Sequence, residues 1–335
     1  EIKECDWSSD VCSSDLGIGV LAIVTAIVFT IFYIFPSSPA RLACGKSCTP
    51  ELMAQISHDM ELDLPLQVQF GRFIKGIFVG RTYSAGTEAA RECAAPCLGY
   101  SFQTDQPVTS LIKDRVPATL SIAVGASVLW LLIGLSSGFV SALRRGTFVD
   151  KFSQGVALAA ASLQIYFVGL VLQFIFVDKL QWLPTPGYSS PLEYPLDWAK
   201  QMALPWLTLA FLLSAIYSRL TRAGMIEVMS EDYIRTARAK GLPAKTINMK
   251  HVLRATITPI VTVFGLDLGQ LLGGAVITEY VFNIPGLGKL ATEGVSNLDL
   301  PVVVGTVMVA AFFIIISNIV VDILYSVLDP KVRVS

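Results

Sequence analysis

The chain has 335 residues, of which 53% are hydrophobic and only 15% charged, with a mean hydropathy of +0.61 and a formal net charge of −1. That is too little polar surface for a soluble domain of this size, so the chain belongs in a membrane. A net charge so near zero provides no general attraction to nucleic acid, and the distribution of charge carries the information instead.

Residues 1–16 fit no membrane pattern. Glu1, Glu4, Asp6, Asp10 and Asp15 stand against a lone Lys3, whereas a signal-peptide n-region or a cytoplasmic flank is basic. EIKECDWSSDVCSSDL reads as a non-native leader, the translation of a sequencing adaptor, and Cys5 and Cys12 therefore carry no functional argument.

Six apolar segments follow, each about 20 residues long, as a hydrocarbon core of about 30 Å requires. The first covers residues 17–35, and the others run over 118–143, 155–177, 202–220, 257–280 and 302–328. These runs lack dyad alternation and are about twice as long as a barrel strand, so helices are predicted. Arg144, Arg145 and Lys151 lie between the second and third, and eight Lys or Arg from Arg219 to Arg254 lie between the fourth and fifth against three acids. By the positive-inside rule these loops are cytoplasmic, together with the tail 331–335 that carries Lys331 and Arg333. An even number of spans then places both termini inside. Parity puts the long, charge-balanced stretch 36–116 outside, before a core of five helices over 117–330.

The outer stretch holds two CxxxC pairs, Cys44 with Cys48 and Cys93 with Cys97. Four cysteines at matched spacing in an oxidising compartment favour two disulfides, with three connectivities open. Zinc is the alternative, for which His58 is the one nearby histidine. Nearby, ARLACGKS at 40–47 satisfies a permissive version of the phosphate-loop pattern GxxxxGK[ST]. It follows an apolar run, has Pro36 and Pro39 upstream and lacks a glycine-rich strand-to-helix turn, so the match is read as chance.

The densest positive charge falls in the segment 221–254. Ser230 is placed to cap a helix whose first turn holds Glu231 and Asp232, whose last turn holds Arg238 and Lys240, and whose end is marked by Gly241 and Pro243. Tyr233, Ile234 and Ala237 share one face, Arg235 and Arg238 another, and Thr236, Ala237, Ala239 and Gly241 keep the element slim. A slim, two-faced helix suits insertion into a groove on a cytoplasmic partner.

DYIRTARAKGL at 232–242, followed by His251, Leu253, Arg254 and Pro259, resembles the cytoplasmic signature of the peptide-transporter permeases among ATP-binding-cassette importers. DRVPATL at 114–120, EYVFNIPGLGKL at 279–290 and LDPKVR at 328–333 agree with that family at matching topological positions. The general importer signature would place Glu, Ala and Ala at Arg235, Thr236 and Ala237, Gly at Gly241, and Ile, Leu and Pro at His251, Leu253 and Arg254. Only Ala237, Gly241 and Leu253 agree, a departure typical of the peptide and nickel branch. The resemblance implies an all-α membrane protein with the six-helix type I permease fold and a long outer loop after the first helix. It implies a chain that hydrolyses nothing and binds no cofactor, with ATP and Mg held by two cytoplasmic ATPase subunits. Its further partners would be a second, homologous permease and an extracytoplasmic substrate-binding protein. The ATPase-docking residues carried over by position are Tyr233, Arg235, Thr236, Ala237, Ala239, Gly241 and Leu242. Short peptides are the expected cargo, with nickel chelates, haem or glycans as alternatives. A secondary transporter is the rival class, for which no internal repeat is evident.

Within the apolar runs, Gln164, Asp267 and Asp322 are costly in lipid and should face a partner or water. Asp267 is the preferred pore candidate, with an interhelical hydrogen bond as the alternative reading. Gly265, Gly269, Gly273 and Gly274 predict close packing of the fifth helix and a bend. Asn283, Pro285, Gly286 and Gly288 predict a turn, and a short segment at 291–297 precedes the sixth span.

Overall fold

The computed structural model of the protein describes residues 49–59, 63–83, 90–101 and 103–328, together with isolated positions between 19 and 40. The leader, most of the first predicted span, Cys44, Cys48, nearly all of the ARLACGKS stretch and the tail beyond Leu328 lie outside the described residues.

The stretch between the first two predicted spans is built, not a plain loop. Helices α1 (Pro50–Asp59) and α2 (Leu66–Val79) are followed by two small antiparallel ribbons, β1 (Arg81–Tyr83) with β2 (Arg91–Cys93), and β3 (Tyr100–Ser101) with β4 (Gln106–Pro107). A disulfide joins Cys93 to Cys97, and both pack against Tyr83 and Tyr100. Arg81 lies 4.6 Å over the Tyr83 ring, and Arg91 lies over Tyr100 while pairing with Asp105 at 2.8 Å. Phe73 of α2 packs with Phe29 against Val304 and Met308 of the last helix, so this region rests on the membrane core.

Helix α3 (Val108–Leu143) starts ten residues ahead of the predicted span at 118 and carries Pro117 internally. Its buried stripe recurs every fourth residue, Ala118, Ile122, Ala126, Trp130, Gly134, Gly138 and Ala142, while Val124, Val128 and Leu132 form an exposed stripe. Such a ridge of mostly small residues lets another helix approach closely. The partner is α6 (Pro195–Ser230), whose Ser218 carbonyl oxygen would lie 2.6 Å from a Cβ placed on Gly138.

The third predicted span is not one straight helix. Helices α4 (Phe148–Ser162) and α5 (Ile165–Lys179) meet at 102°. Leu163 and Gln164 are extended at the junction, and α5 widens into π turns over Phe174–Lys179. Neither a proline nor a glycine marks the break, so apolar residues on both sides conceal it in sequence.

The basic segment is a helix, a glycine and a second helix. α6 continues to Ser230, a short helix α7 (Asp232–Ala239) follows, and α8 (Ala244–Leu272) begins within the segment. α8 ends eight residues before the predicted limit of Tyr280. Gly265, Gly269 and Gly273 line its contact with the last helix, where added Cβ atoms would meet Val321, Ile314 and Ala310, and Gly274 turns the chain at φ +126°. There follow α9 (Val276–Val281), α10 (Leu287–Ser296) and α11 (Leu300–Leu328). Among the described residues four helices, α3, α6, α8 and α11, are long and apolar enough to cross a membrane, and α4 with α5 supplies a broken fifth. The core fills the space between α3, α6 and α8, with Trp130 packed on Tyr217 and Phe264.

Candidate functional site

At the basic end of the molecule α7 is a capped and anchored helix. Its C-terminal end is a Schellman motif: the Leu242 N–H donates to the Ala237 carbonyl and the Gly241 N–H to the Arg238 carbonyl, with Gly241 at φ +76°. Its N-terminal end differs from the sequence reading. Glu231, not Ser230, occupies the cap position and makes no side-chain cap, while the Ser230 hydroxyl donates back to the Glu227 carbonyl at 2.6 Å and so belongs to the end of α6. The Thr236 hydroxyl donates to the Asp232 carbonyl and Arg235 pairs with Asp232 at 3.2 Å on the exposed side.

Ile234 is the anchor. It is fully buried with Ala142 of α3, Met225 of α6, and Ile247 and Val252 of α8, and Ala237 packs beside it one turn on. Force applied to α7 therefore reaches three long helices through one side chain. Tyr233 was expected on that same face, but lies 49% exposed because the 100° step from Ile234 turns it outward. Burial and the neighbouring Glu231 push its phenol up from the ordinary range. Arg235, Thr236, Ala239, Gly241 and Leu242 are also exposed, so six of the seven docking candidates form the open surface of α7 and Ala237 its underside.

Beside α7 lies a polar clamp that sequence reasoning missed. Asp150 of α4 is buried and accepts from Arg222 of α6 in a bidentate pair, Nε to Oδ1 at 2.6 Å and Nη2 to Oδ2 at 2.8 Å. The Ser141 hydroxyl of α3 and the Gly146 backbone N–H are its remaining donors, to Oδ1 and Oδ2 respectively. Bidentate pairing fixes orientation as well as charge, so the clamp sets α3, α4 and α6 relative to one another at the end where α7 attaches. No local pattern links positions 72 residues apart, although an Asp after a short basic turn was a usable signal.

Within the helices, Asp267 accepts a 2.7 Å hydrogen bond from the Tyr217 hydroxyl across α8 and α6. It is partly accessible, whereas Tyr217 is fully buried. Gln164 sits exposed at the α4–α5 break, distant in sequence order and in element from that pair. Asp322 lies on α11, with its side chain outside the described residues. The structure thus brings Asp267 together with Tyr217 and joins neither to Gln164.

At the opposite end, Glu279 of α9 is wholly buried beside the start of α10. Arg115 of α3 lies 3.6 Å from Glu293 on α10. Cys93 and Cys97 are bridged, and their predicted companions Cys44 and Cys48 fall outside the described residues. Among the described residues no cluster of His, Cys, Asp or Glu could hold a metal. Non-reducing peptide mapping of the membrane-extracted protein is expected to find Cys93 linked to Cys97. Quantitative alkylation of both thiols without prior reduction would contradict it.

Comparison with known proteins gives this architecture its class. Residues 119–334 match the family described as binding-protein-dependent transport system inner membrane component, and residues 15–123 match the N-terminal membrane component of such systems. The chain belongs to this family, a multi-pass inner-membrane permease of binding-protein-dependent ABC importers. A dipeptide transport system permease protein of Alkalihalophilus pseudofirmus is 32% identical over 336 residues, covering 94% of this chain and 96% of that one. A glutathione transport system permease protein of Pectobacterium atrosepticum is 36% identical over 317 residues, covering 94% and 95%. The MetNI methionine ABC transporter, solved in inward-facing conformations, matches with a TM-score of 0.50 at 15% identity over 66% of this chain and 97% of that chain, a likeness of fold alone.

Proposed function

We propose that the chain is the non-catalytic pore subunit of an ATP-driven importer of short peptides, and that α7 is the element through which cytoplasmic ATPases drive it. The observation that carries this reading is the anchoring of a sharply terminated, outwardly exposed helix to α3, α6 and α8 by Ile234. Closure of an ATPase dimer against Tyr233, Arg235, Thr236, Ala239, Gly241 and Leu242 would rock those helices together, switching the assembly between inward-open and outward-open states. On this reading both termini are cytoplasmic, a second permease completes the pore, and a binding protein delivers cargo to the cysteine-bearing face. ATP and Mg stay on the ATPases. Peptide cargo is supported by relatives named for dipeptide and glutathione transport.

Reconstitution tests this directly. Proteoliposomes holding the permease pair and ATPases should accumulate a labelled dipeptide only with ATP on the ATPase side and binding protein on the other. Uptake driven by an ion gradient without ATP would overturn the proposal in favour of a secondary transporter.

A further inference from the structure

Helix α10 is held at its start by one buried carboxylate, and a second lies just past its exit, where the last helix begins. At its start, the Thr119 hydroxyl of α3 donates to Glu279 Oε1 at 2.8 Å and accepts from the Leu287 N–H at 2.8 Å, while Glu279 Oε2 accepts from the Lys289 N–H at 2.8 Å. These bonds satisfy amides that the first turn of a helix otherwise leaves orphaned. Gly286 lies directly on the carboxylate, where an added Cβ would stand 2.2 Å from the Glu279 carboxyl carbon. This start of α10 is a fixed pivot on α3.

The exit of α10 is tied to a different body. Asp299, at the entry to α11, is buried and accepts from the Ser101 hydroxyl of β3. Next to it the Gln103 side-chain amide donates to the Asn297 carbonyl at 2.5 Å. Gly99 passes so close to Pro301 that an added Cβ would lie 3.2 Å from the proline Cβ. Ser101 and Gln103 belong to the compact outer unit formed by the Cys93–Cys97 bridge, the stacked Arg81 and Arg91, and the Arg91–Asp105 pair. The outer unit and the far end of α10 are therefore joined through contacts between residues about 200 positions apart.

We propose that Ser101 and Asp299, with Gln103 and Asn297, form a positioning joint through which a binding protein seated on the stapled outer unit is felt by α10, which pivots on Glu279. The inference rests on the importer reading given above. The joint meets α10 at the end away from its pivot, so it is the place where seating and gating are coupled.

The test uses the assembled complex in nanodiscs, with ATPase activity measured with and without the system's own binding protein loaded with a dipeptide. The double variant Ser101→Ala/Gln103→Ala should reduce binding-protein stimulation at least about fivefold, the factor corresponding to the net contribution of one hydrogen bond. Basal ATPase activity should stay at the wild-type value even though the thermal midpoint falls, because Asp299 loses a buried donor, and Ser101→Thr should retain stimulation because it keeps the hydroxyl. If the double variant fails to reach the membrane, Gln103→Ala alone carries the test, since Gln103 is exposed and its loss leaves Asp299 paired. Undiminished stimulation would overturn the joint, as would an equal fractional loss of basal and stimulated activity. A wild-type complex that shows no stimulation at all would instead overturn the importer reading on which the joint depends.

Discussion

Gly241→Val lowers ATP-driven uptake by about tenfold or more while leaving membrane insertion and expression intact. Gly241 sits at φ +76° with nothing within 4 Å of the position a Cβ would take, so the penalty is conformational and not a clash. An L-residue in the left-handed region costs roughly 1–2 kcal/mol, and a β-branched one lies at the costly end. Unwinding the turn releases the Leu242–Ala237 and Gly241–Arg238 hydrogen bonds, and the exposed end of α7 loses its fixed shape just where Leu242 and Gly241 face a partner. Asn tolerates this backbone better than Ala, so uptake should fall in the order Gly, Asn, Ala, Val. Uptake and stimulated ATPase activity at equal expression check the series, and a valine variant with wild-type values would remove the docking role of α7.

Gly138→Leu is expected to prevent accumulation of folded permease. The added Cβ alone would lie 2.6 Å from the Ser218 carbonyl oxygen and 2.7 Å from Thr221 Cβ, and the backbone contact leaves no side chain to rotate away. Overpacking a close helix pair costs about 1–3 kcal/mol where the core yields, and more where backbone must move. Displacing α3 from α6 would also pull Ser141 and Arg222 away from Asp150, breaking the clamp at the same end of the molecule. Gly155→Leu is the matched control, since a Cβ there meets nothing within 4 Å. Detergent-extracted yield and thermal midpoint distinguish the two, and equal values for both variants would contradict the α3–α6 packing described here.

Much of the membrane core was legible because hydropathy and chain punctuation act locally. The apolar runs locate α3, α6, α8 and α11, and the small helix α7 announces itself through Gly241 and Pro243. The helix ends were not legible, since α3 and α6 extend beyond their apolar stretches as amphipathic overhangs that a hydropathy window truncates. The break at Leu163–Gln164 escaped notice because no helix breaker produces it. Ser230 was a plausible cap in isolation, but a longer α6 supplied the Glu227 carbonyl as a nearer acceptor. Pairings such as Asp150 with Arg222, or Ser101 with Asp299, depend on which helices become neighbours, and no sequence window contains both partners. Of the polar residues within the spans, Asp267 found a hydroxyl partner, while nothing in its sequence surroundings pointed to Tyr217.

Whether the anchored α7 faces the compartment containing ATP is read most directly from sidedness. In a cysteine-free background a single cysteine at Lys245, next to α7, and another at Gln67, on exposed α2, are treated with a membrane-impermeant thiol reagent in sealed cells. The eight basic residues from Arg219 to Arg254 resist translocation, whereas the stretch around Gln67 carries no such bias. Labelling is expected at position 67 in intact cells and at position 245 only after the membrane is opened. Labelling at position 245 in sealed cells would place α7 on the side without ATP and rule out its docking to cytoplasmic ATPases.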